Sequence, residues 1–258
     1  MRPPYAQTSA PPRELDPWDG VLLVDKPSGC TSHDVVHVIR QTFRIKKVGH
    51  GGTLDPMATG LLVILLARGT RLSDQMMGAD KIYEGVMHFG VTTNTEDVDG
   101  AVTGEAGCAG LTRAALEAEM QKWLGDVQQT PPMVSAIKQN GVPLYKLARK
   151  GLEIAREPRW LHIFEFVLLD FAPPLARFRL RCTKGTYVRT LCADIGRALG
   201  CGAFLEQLRR TQSGALRIED AIVLDELLKL KPDDVLPHIL PMHRFSKLPP
   251  EPPHARPS

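Results

Sequence analysis

The stretch from Gly49 to Gly60, GHGGTLDPMATG, holds one carboxylate, Asp55, in a setting suited to chemistry. Glycines precede Asp55 and Pro56 follows it, so the backbone can turn tightly before the apolar run from Leu61 to Leu66. Loops anchored by buried strands often present reactive side chains. A single aspartate near His50 is therefore a candidate nucleophile or electrostatic group. The alternative is a plain turn, because Asp-Pro is frequent in turns.

Three apolar segments are predicted as strands that position this loop. Gly20 to Asp25 predicts a short buried strand that ends in a turn beginning at Lys26. Lys81 to Phe89 predicts a second strand, and Leu175 to Cys182 a third. Arginines at positions 177, 179 and 181 alternate with apolar residues in the third strand. One face of that strand is therefore basic and can lie against a polyanion.

Helical patterns are spread between these strands. The first predicted helix follows the N-cap pair Thr31 and Ser32. The others are predicted at Thr70 to Gly78, Leu111 to Leu124 with Thr112 as the cap, Thr190 to Leu199, and Ile218 to Leu230. Strands and helices mix without strict βαβ alternation, which is compatible with an α+β fold.

The densest positive stretch lies in the middle of the chain. It consists of Lys138, Lys146, Arg149, Lys150 and Arg156, around a hairpin with an Asn-Gly turn and a short helix predicted from Leu144 to Gly151. A solvated helix face explains these cations, and so does contact with phosphates. Both interpretations stay open at this point.

Length and composition bound the class of protein. The chain has 258 residues, 43% of them hydrophobic, which is enough for one large domain or two small ones. The net charge of +3 permits an anionic partner without requiring one. Ten of the 21 prolines fall in 1–17 and 247–258. We therefore predict disordered tails at 1–17 and 246–258 and a folded part from Trp18 to Phe245.

Cysteine usage and hydropathy indicate a cytoplasmic protein. The five cysteines are an odd number without a CxxC pair, which argues against a disulfide framework and a Cys-based zinc site. The N-terminal segment has no apolar core of a signal peptide, and no run reaches the ~18 apolar residues of a membrane span. We expect a soluble protein in a reducing cytosol, with no membrane partner.

The acidic segment from Thr92 to Gly100 is dense enough in acids to be a candidate metal site. An EF-hand register that starts at Thr95 puts Ala106 where a bidentate Glu is needed, so that register fails. The segment is predicted to be a solvated connection. The sequence also contains no convincing phosphate loop, zinc spacing or dinucleotide fingerprint.

Five segments match the sequence motifs of one protein family. They are KPSG after GVLLVD, with Lys26; GHGGTLDPMATG, with His50 and Asp55; KIY, with Tyr83; KGTYVR, with Tyr187 and Arg189; and FLEQLRR, with Leu208. They resemble the TruB family of tRNA pseudouridine synthases, in which GH-x-G-x-LDP-x-ATG carries the catalytic aspartate. The resemblance covers about Gly20 to Leu230. Gly51 departs from it, because the family usually has Thr there, and no C-terminal PUA-type domain follows, so a short form is expected.

The resemblance implies a fold and a reaction. The fold is a mixed α/β (α+β) domain, a largely antiparallel sheet flanked by helices with a central catalytic cleft and an inserted T-arm-binding portion. The reaction converts uridine 55 in the T arm of tRNA to pseudouridine without cofactor or metal, and the enzyme is expected to be a monomer. Isomerisation needs an ionised carboxylate beside C1′ of an extruded uridine.

The resemblance also implies residue roles. Asp55 acts at the sugar, and Arg189 pairs with it through both arms of its guanidinium. Tyr83 stacks on the uracil, Leu208 packs near the base, and Lys26 and Tyr187 line the pocket. His50 fills the vacated space or holds the displaced loop. Two alternatives come from other classes. One is an RNA-binding module or tRNA folding factor without chemistry, and the other is a metal-dependent RNA hydrolase that uses the acidic residues from Glu96 to Asp99.

Overall fold

The computed structural model describes residues 16–135, 138–139, 142–144, 147, 152 and 154–245. Nearly all of both predicted tails lies outside the described residues, as does most of the helix predicted from Leu144 to Gly151. The predicted hairpin is present, because Lys138 pairs with Pro143 and Gln139 with Val142.

Fifteen strands occur among the described residues. They are β1 Gly20–Lys26, β2 Val48–His50, β3 Thr59–Leu66, β4 Lys81–Phe89, β5 Val91–Thr93, β6 Val102–Glu105, β7 Gly125–Gln129, β8 Lys138–Gln139, β9 Val142–Pro143, β10 Arg159–Ala172, β11 Leu175–Cys182, β12 Ala203–Ser213, β13 Leu216–Arg217, β14 Ile222–Val223 and β15 Ile239–Pro241. The strands predicted at 81–89 and 175–182 are confirmed to the residue.

Eleven of these strands form one sheet. Its order is β14-β1-β3-β12-β4-β11-β10-β7, with β2 on β3, β13 on β12 and β15 on β1. The β1–β14 and β3–β12 pairs are parallel and the other pairs are antiparallel. The predicted mixed, largely antiparallel sheet is therefore confirmed.

Helices flank the sheet. They are α1 Ser32–Thr42, α2 Ser73–Gly78, α3 Arg113–Gln121, α4 Val188–Ala198, α5 Leu224–Leu227 and α6 Pro232–Val235, with 3₁₀ turns at Ala67–Leu72, Ile218–Asp220, Leu236–His238 and Met242–Arg244. Thr31 caps α1 in a capping box with Asp34, and Thr112 caps α3, as predicted. These caps fix where the two helices begin.

The continuous helix predicted from Ile218 to Leu230 is wrong. A 3₁₀ turn, the two-residue strand β14 and the short helix α5 occupy that segment. Ile222 and Val223 pair in parallel with Val24 and Asp25 of β1. Pairing at the sheet edge thus overrides the local helical periodicity.

The core lies on both faces of β3. Leu62, Ile64 and Leu66 contact the larger apolar cluster, in which α1 and α4 also bury side chains. Leu61, Val63 and Leu65 contact a second, smaller cluster on the opposite face. Successive side chains of a strand point to opposite faces, so a run that is apolar throughout is buried on both. This strand is the fixed support from which the Asp55 loop extends.

Candidate active site

The Asp55 loop connects β2 to β3 and is tied down at both ends. The Gly51 amide donates to the Val63 carbonyl over 2.8 Å. The Leu54 amide donates to the Ser32 hydroxyl of α1 over 2.8 Å. Next to Asp55, the Ala58 amide donates to the Asp55 carbonyl over 3.1 Å, which closes a tight turn. The Asp55 side chain is left 33% exposed.

Arg189 pairs with Asp55, as predicted. Its Nη1 lies 2.6 Å from Asp55 Oδ2, and the Arg189 side chain is only 3% exposed. Arg189 is the second residue of α4, which follows a turn through Gly185. The pair is not bidentate, because Nη2 donates to the Val134 carbonyl instead. One arm of the guanidinium thus holds the carboxylate and the other is fixed to the backbone.

The acidic segment lies against this pair, contrary to the prediction of a solvated connection. Asp97 is buried, and its Oδ2 lies 3.6 Å from Arg189 Nη1. Glu96 accepts a hydrogen bond from the Thr190 hydroxyl. Burial raises the pKa of both acids, and hydrogen bonds from Thr95 to Asp97 and from Thr190 to Glu96 oppose that shift. Arg189 therefore faces two carboxylates, one of which the sequence did not reveal.

Two tyrosines flank the pair. Tyr83 is buried on β4, and burial raises the pKa of its hydroxyl, while the charge and hydrogen bond of Arg210 act in the opposite direction. The Tyr187 ring centroid lies 5.7 Å from Arg189 Cζ. Gln129 holds the Tyr187 backbone with hydrogen bonds of 2.8 and 3.0 Å. Burial raises the pKa of Tyr187 as well.

Arg210 binds backbone carbonyls of the Asp55 loop and of β3, a role that the sequence did not predict. It is 1% exposed. Its Nε donates to the Leu61 carbonyl over 2.8 Å and its Nη2 to the Gly52 carbonyl over 3.1 Å, and Nη1 lies 3.4 Å from the Thr53 carbonyl. Arg210 lies two residues after Leu208 on β12, and this spacing indicates that the two side chains share one face of the strand.

Close backbone packing beside Arg210 explains Gly60 of the motif. Gly60 has φ of +97°, and a Cβ there would lie 2.4 Å from the Arg210 carbonyl oxygen. Only glycine combines that backbone angle with that approach.

Lys26 was predicted to line the pocket, but it is buried beneath the backbone of the Asp55 loop. The residue is 0% exposed. Its Nζ donates to the carbonyls of Pro27 over 2.8 Å, Pro56 over 3.2 Å and Ala58 over 2.7 Å. Burial lowers the pKa of Lys26, and the charge of Asp55 is among the groups that oppose this shift. Lys26 holds the turn that carries Asp55.

His50 and Leu208 complete the predicted set. His50 is half-buried at the end of β2, and its Nδ1 accepts from the Gly52 amide over 3.4 Å. Burial lowers the pKa of His50, and the charges of Arg210 and His33 act in the same direction. Leu208 is buried on β12 in the same apolar cluster as Tyr83. The structure thus brings Asp55, Arg189, Tyr83, Tyr187, His50 and Arg210 into one site.

The predicted phosphate-binding cations are mostly not described. Lys146, Arg149 and Lys150 lie outside the described residues, as does the side chain of Lys138. The basic face of β11 is present, but each of its arginines lies near an acid: two of these acids are on the neighbouring strands, and Asp80 directly precedes β4. Arg177 lies 3.7 Å from Glu84, Arg179 lies 3.5 Å from Glu165, and Arg181 lies 3.5 Å from Asp80.

Within the described parts of the chain, no group of three or more His, Cys, Asp or Glu side chains is arranged to hold a metal ion. In the same residues, no helix is both long and apolar enough to cross a membrane.

Comparison with protein families identifies the family to which this chain belongs. Residues 40–188 match the family model described as TruB family pseudouridylate synthase, N-terminal domain. This chain belongs to the TruB family. Residues 189–245 match the model described as tRNA pseudouridylate synthase B C-terminal domain. The boundary between the two models falls at Arg189, so the pair formed by Arg189 and Asp55 joins the two family domains. A TruB-family protein is an isomerase that forms pseudouridine.

Two relatives extend over most of this TruB-family chain. It is 48% identical to a protein named tRNA pseudouridine synthase B from Opitutus terrae over 234 residues, which are 91% of this chain and 96% of that protein. It is 46% identical to a protein of the same name from Dechloromonas aromatica, over 87% of this chain and 75% of that one.

A solved structure supports the fold of this TruB-family member. A chain from a Cbf5-Nop10-Gar1 complex superposes with a TM-score of 0.70 and 30% identity over 90% of this chain. The match covers 63% of that chain, so this protein spans less than two thirds of the length of its structural relative.

Proposed function

We propose that this protein isomerises uridine to pseudouridine in the T arm of tRNA, with Asp55 as the carboxylate that acts on the ribose. Family membership and the relatives named tRNA pseudouridine synthase B support tRNA as the substrate. The observation that carries the residue assignment is the pairing of a partly open Asp55 with a buried Arg189 at 2.6 Å.

The reaction rearranges bonds within one nucleotide. The bond between N1 and C1′ breaks, the uracil turns, and C5 bonds to C1′; C5 gives up a proton and N1 gains one, so nothing is oxidised or reduced. Positive charge develops on the sugar as the first bond breaks. An ionised carboxylate beside C1′ stabilises that charge or attacks it covalently.

The geometry suits Asp55 to this task. Its side chain is 33% exposed, so a ribose can reach it, whereas Asp97 on the other side of Arg189 is buried. A cation that is buried and held by the Val134 carbonyl cannot follow the carboxylate into solvent. Such fixed charges cost little reorganisation during the reaction.

The neighbouring side chains form the base pocket in this proposal. Extruding a uridine costs a few kcal/mol of stacking and pairing, which aromatic and apolar contacts offset. Tyr83 stacks on the extruded uracil and Leu208 packs beside it, while His50 takes the place that the base left. Tyr187 lies against Arg189 at the edge of the pocket. Lys26 and Arg210 hold the loop backbone and do not contact the base.

Incubation of the purified full chain with an unmodified T-arm stem-loop, followed by mapping of pseudouridine, tests this function. We expect pseudouridine at uridine 55 alone, and none in a stem-loop that carries cytidine there. Pseudouridine at another position would contradict the T-arm assignment. Binding without any product would favour the RNA-binding alternative, and loss of product on addition of a chelator would favour the metal-dependent one.

A further inference from the structure

Helix α1 presents a basic face to solvent. Its apolar residues Val35, Val36 and Ile39 are buried in the core, together with Phe43 just beyond the helix. The exposed basic residues are His33, His37, Arg40 and Arg44, which follow each other by three or four positions, and Lys46 and Lys47 extend them in the turn before β2. His33, His37 and Arg40 therefore share one side of α1, and Arg44 follows just beyond the end of the helix at Thr42. We call these six residues the α1 basic surface.

Four cations of this surface have no acidic partner among the described residues, while the exposed Asp34 of the same helix interacts with His33 and His37. The ion pairs of the described residues include none with Arg40, Arg44, Lys46 or Lys47. The nearest acid in sequence, Asp34, accepts hydrogen bonds of 2.8 and 2.7 Å from the Thr31 amide and hydroxyl at the helix cap. Each arginine of β11, in contrast, lies within 4 Å of an acid.

The surface begins at the candidate active site. Ser32, the first residue of α1, exchanges hydrogen bonds with the backbone of Leu54, next to Asp55. His33 is near enough to His50 for its charge to lower the pKa of His50. From there α1 extends for 11 residues, or about 16 Å at the rise of an α-helix. An A-form RNA stem carries one phosphate on every nucleotide of each strand, so a surface of this length can span several of them.

We propose that the α1 basic surface binds the phosphate backbone of the substrate RNA beside the target nucleotide. The inference rests on the proposed function and deepens it, because it concerns how the same RNA is held. Phosphates supply the negative charge that the protein does not provide here, and contacts with them position an RNA without reading its sequence. The surface therefore orients the T arm so that its extruded uridine meets Asp55.

Two triple variants of equal charge change test this surface. R40Q/R44Q/K47Q removes three charges from it, and R177Q/R179Q/R181Q removes three from β11. The side chains of Arg177, Arg179 and Arg181 lie on the face of the sheet opposite the core that α1 covers. Both are made in the Asp55→Asn background, and the dissociation constant for the unmodified T-arm stem-loop is measured at several salt concentrations.

Loss of three phosphate contacts predicts a clear difference between the two variants. The slope of log affinity against log salt should fall by about 2 to 3 for R40Q/R44Q/K47Q, since each contact contributes roughly 0.7 to 0.9. Its affinity at low salt should fall by about tenfold or more. The β11 variant should keep the parent slope, and R40K/R44K/K47R, which retains the charges, should keep it too.

Three outcomes would overturn the inference. They are an unchanged slope in R40Q/R44Q/K47Q, an equal loss in the β11 variant, or a loss in the charge-retaining variant. Thermal unfolding of each variant checks that the comparison is made between folded proteins. Failure here is separable from failure of the proposed function. If the unmutated protein makes pseudouridine and the slopes do not differ, only the α1 surface is wrong.

Discussion

Arg189 Nη1 lies 2.6 Å from Asp55 Oδ2, although the two residues are carried by different elements from distant parts of the chain. The carboxylate is 33% exposed and the guanidinium 3%. The cation is therefore a fixed part of the protein interior, while the carboxylate remains open to a ligand. The buried Asp97 and the Val134 carbonyl also hold the guanidinium, so Arg189 keeps a counter-charge when Asp55 is replaced.

Replacing Arg189 by Lys should damage turnover more than folding. Lys keeps the positive charge but cannot hold Asp55 and the Val134 carbonyl together as the planar fork does. We expect kcat to fall by about 10²–10³-fold, the size seen when one electrostatic donor is removed. Multiple-turnover kinetics on the stem-loop at saturating RNA measure kcat. Arg197→Lys, on the exposed side of the same helix, is the matched control, and an equal loss there would contradict the assignment.

Arg210 should act as a positioning residue for the Asp55 loop. Arg210→Met leaves the carbonyls of Gly52, Thr53 and Leu61 without their buried donor, at a cost of about 1–3 kcal/mol for each unsatisfied group. We expect reduced stability in urea unfolding and a lower kcat, with little change in RNA affinity. Arg209→Met, which removes only the ion pair with Asp25, should retain kcat. Weakened RNA binding with normal kcat in Arg210→Met would disprove this role.

Gly51 should resist the threonine that the family usually has. A Cβ at position 51 would lie 2.5 Å from the Met76 Cβ of α2 and 3.3 Å from Val63. Gly51→Thr should therefore destabilise the protein by about 1–3 kcal/mol through overpacking. Met76→Ala keeps the Cβ of residue 76, so it should not relieve the clash. Met76→Gly removes that Cβ and should recover part of the lost free energy of unfolding. Denaturant unfolding of the parent, Gly51→Thr, Met76→Gly and the Gly51→Thr/Met76→Gly double variant measures the coupling, and simple additivity would contradict this packing.

His50 should make the protein less stable in mild acid. Burial lowers the pKa of His50 below its ordinary 6.5 in the folded chain. The unfolded chain therefore takes up the proton more readily, and the stability due to the neutral ring is full above pH 6.5 and falls as pH drops through it. The loss is about 1.4 kcal/mol per unit of pKa shift. Urea unfolding at pH 7.5 and 5.5 should show a smaller drop for His50→Gln than for the parent or for His238→Gln. Equal drops in all three proteins would disprove this account.

Local patterns predicted the strands better than the site. Strand β11 alternates between exposed arginines and buried apolar residues, so its period is visible in the sequence. Position 97 carried no such signal, because a polar turn residue and a buried partner of Arg189 look alike in sequence. The same holds for Lys26, whose ammonium is directed under the loop by carbonyls that only the fold brings together.

The family motifs predicted a contact between residues that spacing alone did not relate. No periodicity relates Asp55 to Arg189, and their union came from the family resemblance before the structure placed them in contact. Even so, the resemblance did not predict that Arg189 divides its two arms between Asp55 and a backbone carbonyl, which depends on how the segment around Val134 packs.

The most direct test of the central claim is single-turnover conversion of the unmodified T-arm stem-loop by Asp55→Asn. Asparagine keeps the shape of the side chain but has no negative charge to stabilise the sugar. We predict no detectable pseudouridine with stem-loop affinity retained, while Asp74→Asn, an exposed carboxylate of α2, converts the RNA at the parent rate. Pseudouridine formation by Asp55→Asn at a rate near that of the parent would contradict the account.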